Sequence, residues 1–297
     1  MRKFLLYLDE IAQSNPFNNV YGLGRSFIAF SLLITFLFSS TDVLFDKYLF
    51  GIQSLDTIFD KINLFFLVGY GNLYIAKIIV VVICLLVISG FYPYITGILH
   101  WWVTFSFQQA GNITEGGDQI ASILTLLLIP ITLSDNRINH WGKSHKSSPE
   151  RNFFALIPLY LLQLQMAILY LHSGVEKLYK VEEWKNGTAL YYYLNDPLFG
   201  YPAWSKLFFD KLLVEPSFVS LFTWSVVLLE IILFGALFMK SSMRIKLFPF
   251  ALLFHIFIAV IIGLYSFSLV MSGGLILYLL PLNQPLDFKR LLSWNQR

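Results

Sequence analysis

Of 297 residues, 57% are hydrophobic and only 13% are charged, where a soluble domain carries about 25% charge; that shortfall excludes a surface fully covered by water. A net charge of +3 gives no sign of a nucleic-acid partner. With 18% aromatic residues and a mean hydropathy of +0.65, the composition predicts a chain largely covered by lipid.

The opening MRKFLLYLDEIAQSNPF makes a poor signal peptide, because Asp9 and Glu10 break its apolar core and no small-residue cleavage site follows. Residues 1–20 read instead as an interfacial amphipathic helix. A span needs roughly 20 mostly apolar residues. Eight such stretches follow, near 22–41, 74–90, 92–110, 117–134, 152–174, 217–239, 245–263 and 264–281. SGFYPY, with Gly90 and Pro93, separates the second from the third. The last boundary, near Gly263, reads either as a turn or as a continuous bent helix. The lone cysteine, Cys84, leaves no disulfide within the chain.

Charge sets the expected orientation. Arg2 and Lys3, then Arg137, Lys143, Lys146 and Arg151, then Lys240, Arg244 and Lys246, and finally Lys289, Arg290 and Arg297 all fall on one side if eight spans are counted. That side is predicted to be cytoplasmic. Opposite lie Asp42, Asp46, Asp56 and Asp60 against Lys47 and Lys61, and Glu115 with Asp118. The predicted fold is all-α: a polytopic bundle of about eight transmembrane helices forming one domain over 1–297, with both termini cytoplasmic. Residues 175–216 form an outer aromatic segment, re-entrant or interfacial, with an Asn186-Gly187 turn, Thr188 as a helix N-cap and Pro197 as a stop.

Ionisable groups inside spans are costly, roughly 2.5–3.5 kcal/mol at a helix centre, and are candidates for function. Glu230 needs a partner from another helix, and His255 in the next span is the natural one; the pair can hold a proton or simply bind two helices together. His100, Thr104 and Gln108 share one face of the third span, which either makes interhelical hydrogen bonds or lines a ligand cavity. In the fifth span Gln165, His172, Ser173 and Glu176 share a face, with Lys177 next, near the outer boundary. Lys177 either snorkels or, made a proton acceptor by partial burial, serves as a base. Arg25 is expected to snorkel, and Asp118 to cap a helix. No metal-binding, nucleotide-binding or nucleophile–base motif is present, and the HxxxE pair of His172 and Glu176 is too weak for a metal.

The stretches NPFNNVYGLGRSFIAFSLLITFLFSSTDVLF, LHWWVTFSFQQAGNITEGGDQIASILTLLLIPITLSDNRINHW, EWKNGTALYYYLNDPLFGYP and LLFHIFIAVIIGLYSFSLVMSGGLILYL resemble the SdpB (sporulation-delaying protein B) family, bacterial multi-pass cell-membrane proteins within the wider HTTM group. GVEKLYKVEEW is similar to a segment of another HTTM member, vitamin K-dependent γ-glutamyl carboxylase. That similarity places the catalytic base on Lys177, the group's His on His255 and its in-span acid on Glu230. The carboxylase's long lumenal portion has no counterpart here. The resemblance implies a role in maturing an exported antibacterial peptide, with an SdpA-like partner and a secreted SdpC-like toxin precursor. On this reading Lys177, His172, Glu176, Glu230 and His255 form the catalytic set and His100 and Gln108 line the cavity. Trp184, Tyr191, Tyr192, Tyr193 and Trp204 would dock the partner. Alternatives are a non-catalytic docking or chaperone subunit, a peptide exporter, and a carboxylase-like enzyme using a reduced quinone.

Overall fold

The structure, a computed structural model, describes residues 13–52, 57–112, 114–143, 147–197 and 199–286. Its eight long helices are α1 (Asn19–Phe38), α2 (Leu73–Ser89), α3 (Pro93–Ala110), α4 (Gly116–Ser134), α5 (Pro149–Tyr179), α6 (Pro216–Gly235), α7 (Ser241–Phe257) and α8 (Tyr265–Leu279). Each falls on one of the eight expected stretches. The described residues contain no strand, only an isolated bridge between Phe91 and Asn139. An all-helical backbone satisfies its own hydrogen bonds, as lipid requires.

Six regions are long and apolar enough to cross a membrane: Asn19–Phe38, Tyr70–Ser89, Gly116–Ser134, Pro149–Tyr179, Pro216–Phe238 and Ser241–Ile262. The remaining two helices differ from these for separate reasons. α3 has 18 residues, but His100, Thr104, Gln108 and Gln109 dilute it. α8 has only 15, roughly 22 Å of rise against a hydrocarbon core of about 30 Å.

Local chemistry fixes the helix ends. Asn18 caps α1 by accepting from the Val20 amide, and Ser148 caps α5 by accepting from Arg151. Pro93, Pro149 and Pro216 take first-turn positions, where a missing N–H is harmless. Glu115 and Asp118 cap α4 reciprocally, so Asp118 is the capping acid expected. The boundary near Gly263 is a turn: the helix widens into a π turn over Ile258–Ile262, Gly263 follows with φ 84°, and α8 starts at Tyr265.

α8 is the hub of the bundle. Its residues Val270 to Leu279 are all buried against α1, α4, α5 and α7, as befits a helix apolar all round. Small residues bring α1 and α8 together: a Cβ on Gly273 would lie 2.7 Å from the Gly24 carbonyl. α7 is the opposite case, with only 11% of its span buried. The two described chain ends meet, since Asn18 Nδ2 donates to Leu282 O at 2.8 Å and Asn19 pairs with Leu286 in both directions. The expected surface helix falls mostly on 1–12, and Lys289, Arg290 and Arg297 lie in the tail; both lie outside the described residues.

Candidate functional site

Tyr170, Ser173 and Lys177 stand at offsets 0, 3 and 7 on α5 and so share one face. That face meets Glu230 of α6. Lys177 Nζ donates to both Glu230 oxygens, at 2.8 and 2.9 Å, and to Ser173 Oγ at 2.6 Å. Ser173 Oγ in turn donates to Glu230 Oε1 at 3.0 Å. The side chains of Lys177 and Glu230 are 20% and 7% exposed. The Trp184 ring lies 5.2 Å from Nζ, close enough for a cation–π contact. Gly174 permits the approach: a Cβ there would sit 3.0 Å from Ile231 Cδ1 and 3.4 Å from Glu230 Cβ.

His255 of α7 completes the group. Its Nε2 hydrogen-bonds the Tyr170 hydroxyl at 3.0 Å, its Nδ1 has no partner, and the residue is 1% exposed. Lys177, Glu230, Tyr170, Ser173, Trp184 and His255 all line one cavity of about 620 Å³, whose other walls include Phe222, Leu229, Phe250, Phe254 and Phe267. A mostly apolar cavity of about 300–1,000 Å³ with a few convergent polar groups is the usual form of a ligand site.

Glu230 is fourteen residues beyond Pro216 (230 − 216), roughly 21 Å down the axis at 1.5 Å per residue. Lys177, two residues from the end of α5, pairs with it there. The following segment climbs the rest of α6. Trp184 packs on Val227, the Leu190 amide donates to Thr223 Oγ1 at 3.1 Å, and Leu194 and Leu213 pack with Val219. The short helices Glu182–Lys185, Ala189–Leu194 and Lys206–Leu212 make this climb. Thr188 precedes the second, which ends before Pro197.

Several expectations are corrected. The Glu230–His255 pair does not form, because Lys177 takes the carboxylate and Tyr170 takes the imidazole. His172 and Glu176 lie off the cavity face. His172 is 70% exposed at its side chain and 3.4 Å from Glu176, and Glu176 also pairs with Lys180. A step of about 100° per residue separates them from the 170–173–177 stripe. Among the described residues no three His, Cys, Asp or Glu side chains gather where they could hold a metal ion.

No protein-family model matches the chain, and no solved structure does. The sporulation-delaying protein SdpB of Bacillus subtilis is 36% identical over 283 residues, which is 94% of this chain and 85% of SdpB. The chain belongs to the SdpB family. The uncharacterized protein YitO of the same organism is also 36% identical, over 291 residues covering 96% of this chain and 93% of YitO.

This SdpB-family membrane protein carries a second buried polar cluster, between α1, α3 and the loop that follows α4. Arg25, expected to snorkel, is 1% exposed; its Nη2 donates to Thr96 Oγ1 at 2.8 Å and its Nη1 lies 3.4 Å from His140 Nδ1. Asp135 accepts from Arg137 Nε at 2.8 Å and Nη2 at 2.7 Å, and from the Tyr21 hydroxyl. Burial alone would raise the Asp135 pKa, but the hydrogen bonds from Arg137 and Tyr21 hold it below the ordinary carboxylate value. Burial, then the charges of Arg25 and Arg137, push His140 down to about 3.

His100 and Gln108, expected beside Lys177, are not among the residues lining that cavity. His100 is buried with Nε2 unpaired, Thr104 bonds Thr125 of α4 at 2.8 Å, and Gln108 accepts from Gln109 at 2.9 Å. Of the aromatic docking candidates, Trp184 is buried over Lys177 and Tyr193 lines the cavity. Tyr191, Tyr192 and Trp204 are exposed. The sequence reading overlooked Tyr170 and the place of Trp184 against Lys177; the i, i+3, i+7 stripe from Tyr170 was the available signal for the first.

Proposed function

We propose that this chain is the HTTM-type membrane component of a bacterial peptide-toxin maturation system. It sits in the cell membrane with both termini inside, engages an SdpA-like partner through Tyr191, Tyr192 and Trp204, and offers the Lys177–Glu230 cavity to an SdpC-like precursor. Kinship with SdpB supports the system. The observation that carries the site is Lys177 Nζ on both oxygens of a buried carboxylate at a cavity wall. In this arrangement the ammonium passes one proton to Glu230, leaving an amine and a carboxylic acid. The amine then takes a proton from the precursor and is an ammonium again, and Glu230 gives its proton to the resulting anion or to solvent, which restores the starting ion pair. The pair stays neutral through the first transfer, so the apolar walls do not oppose it. No step in this reading needs a cofactor.

The test is the intact mass of peptide secreted by a strain expressing the chain with its partner and precursor. Lys177→Met combined with Glu230→Leu removes both charges together, which preserves stability better than removing one. The double variant should insert normally and yield no mature peptide; wild-type output from it would overturn the reading. One observation favours a second reading, a docking subunit without chemistry: every donor of Lys177 is already used within the chain. On that reading the double variant still works, and Tyr191→Ala with Trp204→Ala fails.

A further inference from the structure

α7 also borders a larger cavity, of about 930 Å³, which it shares with α1 and α8. Phe27, Phe30 and Phe38 of α1 face Leu252 and Ile256 of α7 across it, and Glu115 and Asp118 at the start of α4 close one end. Ser266 ties that end together: its carbonyl accepts from Ser31 Oγ at 2.9 Å, and its hydroxyl donates to Glu115 Oε2 at 3.1 Å. Asp118 is 8% exposed and lines the cavity. Its Oδ2 accepts from the Glu115 amide at 2.9 Å, while its Oδ1 takes no hydrogen bond among the described residues. Nor does either carboxylate form an ion pair among those residues. Two adjacent carboxylates in an apolar wall repel one another and call for a cation. By connectivity Arg2, Lys3, Lys146, Lys289, Arg290 and Arg297 adjoin the opposite ends of α1, α4, α5 and α8. The side of the cavity faces outward, since Phe30, Phe38 and Ile256 are 45%, 86% and 45% exposed on regions apolar enough to cross a membrane.

We propose that this cavity holds a phospholipid whose head carries a primary ammonium. The ammonium donates to Asp118 Oδ1 and to Glu115, and the acyl chains lie between α1 and α7. Length selects a lipid over a peptide. From Phe27 to Ser39 the wall rises roughly 18 Å at 1.5 Å per residue, about one leaflet of a hydrocarbon core about 30 Å thick, whereas a spanning peptide helix needs the whole thickness. Charge selects the rest of the head. Ser39, on the rim, accepts from Lys77 Nζ at 2.9 Å, which is the one hydrogen bond of that ammonium among the described residues. Its other two N–H groups can meet a phosphate. Hydrogen bonding selects the amine: the open carboxylate oxygen needs an N–H, which a trimethylammonium lacks. This cavity shares no lining residue with the one beside Lys177, so the lipid site goes beyond the maturation reading and does not depend on it.

The test uses the whole protein in detergent, titrated with phosphatidylethanolamine, phosphatidylcholine and phosphatidylglycerol of the same chains and read by native mass spectrometry. Phosphatidylethanolamine should bind roughly tenfold tighter than either of the others, the effect of one charge-assisted hydrogen bond. Glu115→Gln with Asp118→Asn should erase that preference, while the amides still cap α4. Ile256→Trp should fill the groove and weaken all three lipids. Phosphatidylethanolamine with a diazirine in its acyl chain should label 27–39 and 252–259 on photolysis. Equal binding of the three lipids by the unsubstituted protein would overturn the proposal without any variant. A preference that survives the double substitution, or labelling spread evenly over all lipid-facing helices, would overturn it too. Saturable binding of a lysine-bearing apolar peptide at these residues, with no preference for the ethanolamine lipid, would assign the groove to peptide instead. These readouts need no toxin output, so their failure is distinct from failure of the maturation reading.

Discussion

Two buried polar clusters share this bundle, and they differ in what surrounds them. The Lys177–Glu230 cluster borders a cavity of about 620 Å³. The Tyr21–Asp135–Arg137 cluster, with Arg25, His140 and Thr96, is sealed by a loop: the His140 amide donates to Gly90 O at 2.9 Å, and Asn139 and Trp141 side chains donate to Ser89 and Ile88 carbonyls. Both contain charges that lipid would reject. The comparison separates a buried charge cluster packed against its own loop from one that borders open space, and the latter is the proposed site. The second cluster also changes how the basic loop is counted, since Arg137 is buried and paired rather than free to face headgroups.

The sharpest way to break this comparison is to remove one partner from the sealed cluster. Asp135→Ala should cost about 3–5 kcal/mol, read as loss of monodisperse protein on size exclusion, whereas the Lys177→Met, Glu230→Leu pair should stay folded. Next is Gly174→Val, which overpacks the α5–α6 contact at about 1–3 kcal/mol and pushes Lys177 from Glu230 without deleting a charge. Peptide output should fall further than protein level.

Acid should separate the clusters more gently. The folded-state pKa of His140, about 3, lies below the roughly 6.5 of an unfolded chain. The unfolded state therefore binds more protons between those values, so stability is full above about 6.5 and is lost as pH falls toward 3. Asp135, also depressed, adds a loss as pH drops through its own folded value. Melting of detergent-solubilised protein should decline from pH 7 to 4, and His140→Gln should flatten that decline; an unchanged slope would place the titration elsewhere. Smallest is Trp184→Leu, which removes a cation–π contact of about 0.5–2 kcal/mol and should lower peptide output modestly with little change in melting.

Much of the fold was legible. Long apolar runs bounded by Gly and Pro located all eight helices, and the Asn-Gly turn with Thr188 located the helix over the tyrosines. Glu230, His255 and Lys177 stood out because each interrupts or ends an apolar run. Their pairing was not legible. Helical periodicity says which residues share a face but not how far one helix slides along another. The falling hydropathy after Gly174 showed where α5 ends, but not that this end stops partway along α6, beside Glu230. Arg25 misled for the converse reason: its place near a helix start suggested headgroups, while its partners Thr96 and His140 come from distant segments that no local pattern connects to it.

The early stop of α5 bears on how the protein is made. Lys177 leaves the ribosome more than fifty residues before Glu230 (230 − 177 = 53), so α5 first meets lipid with its ammonium unanswered and near enough to its end to reach the headgroups. Its carboxylate partner is available only once α6 has been made, and the contacts of the intervening aromatic segment with α6 likewise.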